Sequence, residues 1–321
     1  MDTALHNPPT AEDILQAAGR IHPYVNRTPI LTSSTLNRMT GAELYFKCEN
    51  FQKVGAFKAR GATNAVFSLE ERQTLNGVAT HSSGNHAQAL AWAASLRSLP
   101  AYIVMPENSS PVKIRSVKEY GGIVTLCKPT LEAREETLKE VLAKTGAAEI
   151  HPYNNLQIIA GQATAAMELI EDIVDLDLLI APVGGGGLLS GTALSAHYFS
   201  HSTKVIAAEP EQANDAWQSF TQKKFIPSIH PDTIADGLRT SLGSFTFPII
   251  LEFVEDIVTV PEIAIIEAMR LMWERMKILI ETSSAVPVAA LMSGKMDVKG
   301  KKIGIMISGG NVDLDQLPWI K

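Results

Sequence analysis

"APVGGGGLLSG", residues 181–191, decides the fold. The apolar run "LDLLIAPV" (176–183) has the length of a buried strand, four glycines follow at 184–187, and "LLSGTALSAHYF" (188–199) reads as a helix. A tight strand-to-helix turn needs one or two glycines, not four. Glycines let backbone N–H groups converge, and a helix N-terminus adds partial positive charge, so the stretch reads as an anion cradle, ordinarily for phosphate. It lacks the lysine of a P-loop, which argues against nucleotide hydrolysis. A dinucleotide fold competes. Gly185-x-Gly187-x-x-Ser190 is close to the fingerprint, and Glu209 ends the next strand, "KVIAAE", where a ribose would be held. Ser190 in place of the third glycine counts against it.

Outward from this turn, strands alternate with helices. "AELYFKCE", "GVATHSS", "PAYIVMP", "IVTLCKP", "TKVIAAEP" and "KKIGIMIS" read as strands. Between them lie helical patterns: "TAEDILQAAGRI" with Thr10 as N-cap, "GNHAQALAWAASLR", "SPVKIRSVKEYG", "LEAREETLKEVLAKTG", "AGQATAAMELIEDI" and, after Pro261, "AIIEAMRLMWERMKILI". Strands separated by helices of this length predict an α/β protein with open parallel sheets. No repeat, low-complexity tract or clear linker is visible, so the two halves are expected to be intertwined. The chain has 321 residues, 45% hydrophobic and 19% charged, with a formal net charge of −6. That is no nucleic-acid footprint, and an acidic surface argues against anionic membranes. No apolar stretch is long enough to span a bilayer. The start, "MDTALHNPPT", is polar where a signal peptide needs an apolar run. Cys48 and Cys127 lie far apart without metal-like spacing and read as reduced thiols of a cytoplasmic protein.

Three further stretches carry chemistry. In "VGAFKARGATNA" (54–65), Lys58 follows the aromatic Phe57 among small residues, and Arg60 comes two residues later. Taken alone, Lys58 is either a solvated amine or one held for reaction. In "THSSGNHAQA" (80–89), Ser82, Ser83, Gly84, Asn85 and His86 form a polar loop before an apolar helix. A simple N-cap needs one such residue; five together offer hydroxyls and N–H groups to a carboxylate. No G-x-S-x-G elbow accompanies these serines. In "ISGGNVDLDQLPW" (307–319), Ser308 follows a buried strand and two glycines leave its end open. Ligands of open parallel sheets sit at the carboxyl ends of strands, where Ser308, the glycine tetrad and the "HSSGNH" loop all lie. A phosphate cradle, a nearby lysine and a polar group for a ring nitrogen fit pyridoxal 5'-phosphate.

The combination of "FKARGA", "SSGNH", "GGGG" and "SGGN" resembles the pyridoxal-phosphate β-family, fold type II, over nearly the whole chain. The resemblance is to serine racemases, serine/threonine dehydratases and 3-hydroxyaspartate dehydratases. It implies two open parallel-sheet α/β domains, tryptophan synthase β-like, with the cofactor between them. Residues 1–76 and 155–321 would form the larger cofactor-binding domain, and 77–154 a smaller domain that closes on the substrate. It also implies that Lys58 is the Schiff-base lysine, that Phe57 packs on the cofactor ring and that Asn85 bonds the ring hydroxyl. Gly184, Gly185, Gly186, Gly187 and the Leu188 amide would hold the phosphate, and Ser308 would face the pyridine nitrogen. A serine there cannot stabilise a pyridinium as a carboxylate would, which favours β-elimination over transamination. Lys58 would remove the Cα proton; Ser82, Ser83, Asn85 and His86 would hold the substrate carboxylate. Ser83 stands where the family places the acid of the opposite face, so racemisation is the alternative activity.

By the same resemblance, Glu209, the Ala213 carbonyl and Asp215 in "AAEPEQAND" match ligands of a divalent cation, Mg²⁺, Ca²⁺ or Mn²⁺. Arg134 in "LEAREET" matches an arginine able to pair with a second substrate carboxylate, with a solvated helix charge as its other reading; His81 stands beside it as a helper. Ser33, Ser34, Thr35, Lys277 and Asn311 match parts of a nucleotide site at a dimer interface, but Val54 replaces a threonine there, which counts against ATP as an effector. "GAFK", "GNHA", "HPYN" with Tyr153, and "SSAVP" lean towards the bacterial hydroxyaspartate dehydratases. The chain is expected to lack a regulatory domain and to form a homodimer. The expected activity is an ammonia-lyase of small β-hydroxy amino acids: serine, threonine or 3-hydroxyaspartate. Outside that class stand a nicotinamide-dependent dehydrogenase and a non-catalytic nucleotide-binding protein.

Overall fold

The structure, a computed structural model, describes residues 7–320. The first six residues of the stretch read for a leader lie outside them. The chain runs α1 (Ala11–Ile21), β1 (Ile30–Leu31), α2 (Ser34–Thr40), β2 (Glu43–Cys48), α3 (Lys58–Ser68), α4 (Glu71–Thr74), β3 (Val78–His81) and α5 (Asn85–Ser95). It continues through β4 (Ala101–Pro106), α6 (Pro111–Glu119), β5 (Gly122–Cys127), α7 (Leu131–Thr145), β6 (Ala148–Glu149) and α8 (Leu156–Asp172). Then come β7 (Leu178–Pro182), α9 (Gly187–Phe199), β8 (Lys204–Pro210), α10 (Asp215–Gln222) and α11 (Thr246–Phe253). β9 (Asp256–Val260), α12 (Glu262–Met276), α13 (Thr282–Met292) and β10 (Lys302–Ile307) complete it.

Two sheets result. A six-stranded sheet has the order β1-β2-β10-β7-β8-β9, and a four-stranded sheet the order β5-β4-β3-β6. All pairings are parallel except β1 with β2. The smaller sheet is one continuous stretch of chain; the larger is assembled from strands on both sides of it, so the halves are intertwined. β7 is buried along its whole length. Its residues alternate between faces: Leu178 and Ile180 pack with α12 and α13, while Leu179 and Ala181 pack with α8, α9 and α11. Cover on both faces is why β7 and β10 read as unbroken apolar runs.

The helix that begins at Lys58 is fixed from behind. α3 meets α8 where a Cβ on Gly161 would lie 2.6 Å from the Cα of Gly61, so the backbones touch. Beside that contact sits a buried quartet of charges. Arg60 Nε donates to Glu49 at 2.8 Å and its Nη1 to Glu168 at 2.7 Å, and Lys47 Nζ donates to Glu168 at 2.6 Å. Thr28 Oγ1 donates to Glu49 at 2.6 Å and Arg60 also reaches Thr164. Two cations face two anions, which is how charges persist away from water.

One helix is shorter than its pattern. The apolar periodicity carries the helix after Pro261 through Ile280, but α12 ends at Met276, because Lys277 turns into the left-handed region at φ 58°. Such a residue caps a helix C-terminus. Among the described residues no helix is long and apolar enough to cross a membrane.

Candidate active site

Lys58 is the first residue of α3, at the end of a constrained corner. Val54 has φ 53° and Gly55 φ 68°. A β-branched residue at positive φ is strained and persists only where its surroundings enforce it. Asn311 Nδ2 does so by donating to the Val54 carbonyl at 2.8 Å. Ala56 then bridges Gly309, and the Phe57 amide donates to the Ser308 carbonyl at 3.0 Å. The end of β10 thereby sets where Lys58 begins. The Lys58 ammonium donates to the Pro152 carbonyl at 2.7 Å and lies 5.2 Å from the centre of the Phe57 ring. Burial lowers its pKa to about 8, against the pull of Glu281. The amine is therefore close to its reactive, neutral form near physiological pH.

The four glycines leave β7 and enter α9 with Gly186 at φ 87°. Their close approaches differ. A Cβ on Gly185 would lie 2.3 Å from the Tyr153 ring, and one on Gly186 would lie 2.8 Å from Thr246. Thr246 Oγ1 donates to the Gly185 carbonyl at 2.8 Å, which turns the peptide outward. The amides of Gly185, Gly186, Gly187 and Leu188 donate to no acceptor among the described residues. They form a row of free donors at a helix N-terminus, and the neighbour of Pro152, Tyr153, covers one edge of it.

The second loop leaves β3. Its Ser82 amide is used by the Val104 carbonyl and its Gly84 amide by Ser82 Oγ, whereas the amides of Ser83, Asn85, His86 and Ala87 make no hydrogen bond. The loop thus presents a second set of free donors at the start of α5. The Asn85 side chain donates to both oxygens of Glu281, at 2.9 and 3.0 Å, and accepts from Asn311 at 3.0 Å. Burial raises the Glu281 carboxyl to about 7. His86 is buried; its Nε2 meets the Ile150 carbonyl at 3.1 Å, Nδ1 has no partner, and burial holds it neutral. What His86 offers the loop is its amide. Ser308, 3% exposed, shares a 2.9 Å hydrogen bond with Ser284 Oγ.

Beyond the loop stands a row of rings ending in a cation. The His81 ring meets His151 edge-on at 6.1 Å, and His151 meets Tyr153 at 4.6 Å. The Asn154 amide donates to His151 Nδ1 at 2.9 Å, so Nε2 carries the proton; burial lowers this imidazole to about 4. Arg134 on α7 is close enough to His81 to depress its pKa, after burial. The guanidinium is half-buried, makes no ion pair among the described residues, and its Nε is without a hydrogen bond. The structure therefore brings Arg134 and His81 together, with the cation unneutralised.

At the end of β8, Glu209 accepts from the Ala216 and Trp217 amides at 2.9 and 2.7 Å. Burial, then Asp215, raises its pKa well above the ordinary carboxylate value. Asp215 is 5% exposed, neither oxygen has a partner within hydrogen-bond geometry among the described residues, and burial lifts it to about 7 against a weaker pull from Ser228. Ala213 is buried in the turn between them. The nucleotide-site residues have local tasks: Ser33 caps α2, Lys277 closes α12, and Asn311 holds Val54 and Asn85; Ser34 and Thr35 lie in the first turn of α2. The sequence reading singled out Tyr153 in "HPYN" but missed Glu281, Lys113 and His151 as members of the site. "HPYNN" offered His151 a signal, since a His beside that Tyr at the end of a strand points to a binding loop; Glu281 and Lys113 had none.

Residues 21–309 match the family model described as pyridoxal-phosphate dependent enzyme. The chain is 50% identical to the beta-hydroxyaspartate dehydratase of Paracoccus denitrificans over 97% of this chain and 99% of that one. It is 51% identical to the serine racemase of Dictyostelium discoideum, covering 97% of each. Among solved structures, maize serine racemase superposes with a TM-score of 0.94 at 44% identity, over 96% of this chain and 95% of that one.

Proposed function

The chain belongs to the pyridoxal-phosphate dependent enzymes, and on that premise we propose that it is an ammonia-lyase of β-hydroxy amino acids whose preferred substrate is 3-hydroxyaspartate. The observation that carries the substrate is Arg134: a half-buried guanidinium with no carboxylate of its own, beside a neutral His81. A buried unpaired cation is costly, and a second substrate carboxylate removes that cost. The beta-hydroxyaspartate dehydratase relative points the same way.

The residues fit the cofactor. The free amides of Gly185 to Leu188, at a helix N-terminus where added Cβ atoms collide, suit a phosphate. Gly184 completes that loop, Phe57 would pack on the ring, and Ser308 would meet its nitrogen with a neutral hydroxyl. When bound, pyridoxal phosphate supplies a carbonyl that condenses with an amine and a ring that accepts the electrons of the Cα–H bond.

The chain's own groups do the rest. Lys58 Nζ, kept weakly basic by burial, takes the Cα proton. The free amides of Ser83, Asn85 and His86, with the Ser82 hydroxyl, hold the α-carboxylate. Asn85, fixed by Glu281 and Asn311, orients the ring hydroxyl. The β-hydroxyl departs as water, and the products are an oxo acid and ammonia. Residues 77–154 act as the closing domain over 1–76 and 155–321.

Glu209, the Ala213 carbonyl and Asp215 are our site for a Mg²⁺, Ca²⁺ or Mn²⁺ ion. The support is two adjacent buried carboxyls, one with no hydrogen bond, and no cation beside them. A cytoplasmic location, supported by two free cysteines, and the homodimer implied by the family resemblance complete the reading. A serine racemase is the second reading, favoured by Ser83, which stands where the family resemblance places the acid of the opposite face, and by the 51% identity to the Dictyostelium discoideum serine racemase.

The test is an assay for oxo acid, ammonia and enantiomer on cofactor-loaded protein with L- and D-serine, L-threonine and the stereoisomers of 3-hydroxyaspartate. Hydroxyaspartate should be preferred, and Arg134→Gln should raise its KM by roughly 10- to 100-fold, the scale of losing a charge-assisted pair, while leaving serine turnover unchanged. Equal effects on serine and hydroxyaspartate would sink the dicarboxylate reading. D-serine as the main product would establish the racemase instead.

A further inference from the structure

The two loops with free amides belong to different sheets, and one side chain ties them together. Lys113, on α6, extends across the Ser82–His86 loop; a Cβ on Gly84 would lie 3.5 Å from its ammonium nitrogen. Its side chain is only 14% exposed, and it forms an ion pair with Asp236. Asp236 does not belong to the smaller sheet. It sits in the turn Asp236–Leu238, which α13 anchors twice: Ser283 Oγ accepts from the Gly237 amide at 3.1 Å, and Thr282 Oγ1 donates to the Ile234 carbonyl at 2.9 Å. The same turn presses on the glycine row, since a Cβ on Gly184 would lie 2.8 Å from Leu238 Cα and 3.2 Å from the Gly237 carbonyl. Lys113 therefore reaches from one anion-binding loop to a rigid post built against the other. Lys113 and Asp236 also line a cleft of about 270 Å³ together with Gln88, Glu281 and Asn311.

We propose that Lys113 is a positioning residue, whose ion pair with Asp236 clamps the carboxylate-binding loop at a set distance from the glycine row. The inference rests on the reading above for what occupies the two loops. Its physical content is orientation: the carboxylate end and the phosphate end of one bound adduct are held by different sheets. An error of about 1 Å between them is worth up to roughly 100-fold in rate. The Lys113 side chain is largely shielded while that of Asp236 is about half exposed, so the pair acts through direction and charge rather than through exclusion of water.

The experiment uses holoenzyme carrying Lys113→Gln, Lys113→Arg or Asp236→Asn, with L-aspartate as a probe that has two carboxylates and no β-leaving group. Amide hydrogen exchange over residues 82–88 and the Kd of L-aspartate are read together. Lys113→Gln and Asp236→Asn should both speed exchange there and weaken L-aspartate by about tenfold, the effect of one charge-assisted contact. Lys113→Arg should restore both, and exchange in α8 and α9 should stay as in the parent, which shows that the variants are folded. If Lys113→Gln weakens the probe while Asp236→Asn does not, Lys113 acts on the carboxylate itself and the clamp is overturned. Unchanged exchange over 82–88 in both variants overturns it as well. If every hydroxy amino acid proves inert yet both variants loosen the loop, the clamp stands and the proposed activity falls.

Discussion

At the scale of single residues, Lys58 stands out because it is placed against its own stability. A partly buried ammonium with only a carbonyl for a hydrogen-bond partner is disfavoured, and desolvation lowers its pKa to about 8 from 10.5. The sign follows from linkage. The unfolded chain binds the proton more tightly, so below pH 8 the folded protein carries the full penalty, and the penalty fades as pH rises from 8 towards 10.5. Lys58→Met should therefore raise the melting temperature of cofactor-free protein at pH 7 by the equivalent of about 1–3 kcal/mol, and abolish lyase activity. A lower melting temperature would show that the carbonyl contact outweighs desolvation. Lys58 was legible only through the four motifs together and the family they resemble; its own stretch left it open between a solvated amine and a reactive one. Glu281 was not: a carboxylate beside "TSSAVP" looks like a helix cap, and only the fold brings it to Asn85.

At the scale of elements, the glycine row was legible as an anion cradle but not as a packing surface. Gly185 is small because the Tyr153 ring lies on it. Gly185→Ala should cost about 1–3 kcal/mol of stability from overpacking and weaken cofactor retention, measured from the visible absorbance after dialysis. Adding Tyr153→Ala should recover much of the lost stability. Failure of the double variant to recover would place the strain in the loop itself. The same limit explains α13. "TSSAVPVAALM" has poor helix formers and Pro287 inside, yet it is helical, because nine of its residues are buried against the large sheet. Tertiary burial overrides intrinsic propensity. The alternation of strand and helix was readable wherever the apolar pattern was long. Short pieces such as β9 and the turn Asp236–Leu238 were not, since their roles come from distant contacts.

At the scale of the whole molecule, the division into two sheets follows from chain order, while the pairing of the sites across them does not. The carboxyl pair at the end of β8 makes stability depend on its surroundings. Asp215 is raised from 3.8 to about 7, so its contribution is present in full below the unfolded value and is lost as pH rises through the folded one. A divalent cation bound at the proposed site would take the place of that proton. Mg²⁺, Ca²⁺ or Mn²⁺ should therefore raise the melting temperature little at pH 5 and increasingly as pH passes about 7. The scan is run with chelator and then with each ion. An increment that is the same at both pH values would place the ion elsewhere.

The quartet of Lys47, Glu49, Arg60 and Glu168 limits how this chain can change over generations. Replacing any one member leaves another charge stranded in the interior, a loss of about 3–5 kcal/mol, against a total stability on the order of 5–15 kcal/mol. An apolar set of similar volume would pack as well once complete. Every route of single replacements passes through such a loss, so the four positions should change together rather than one at a time, and α3 keeps its starting point with them.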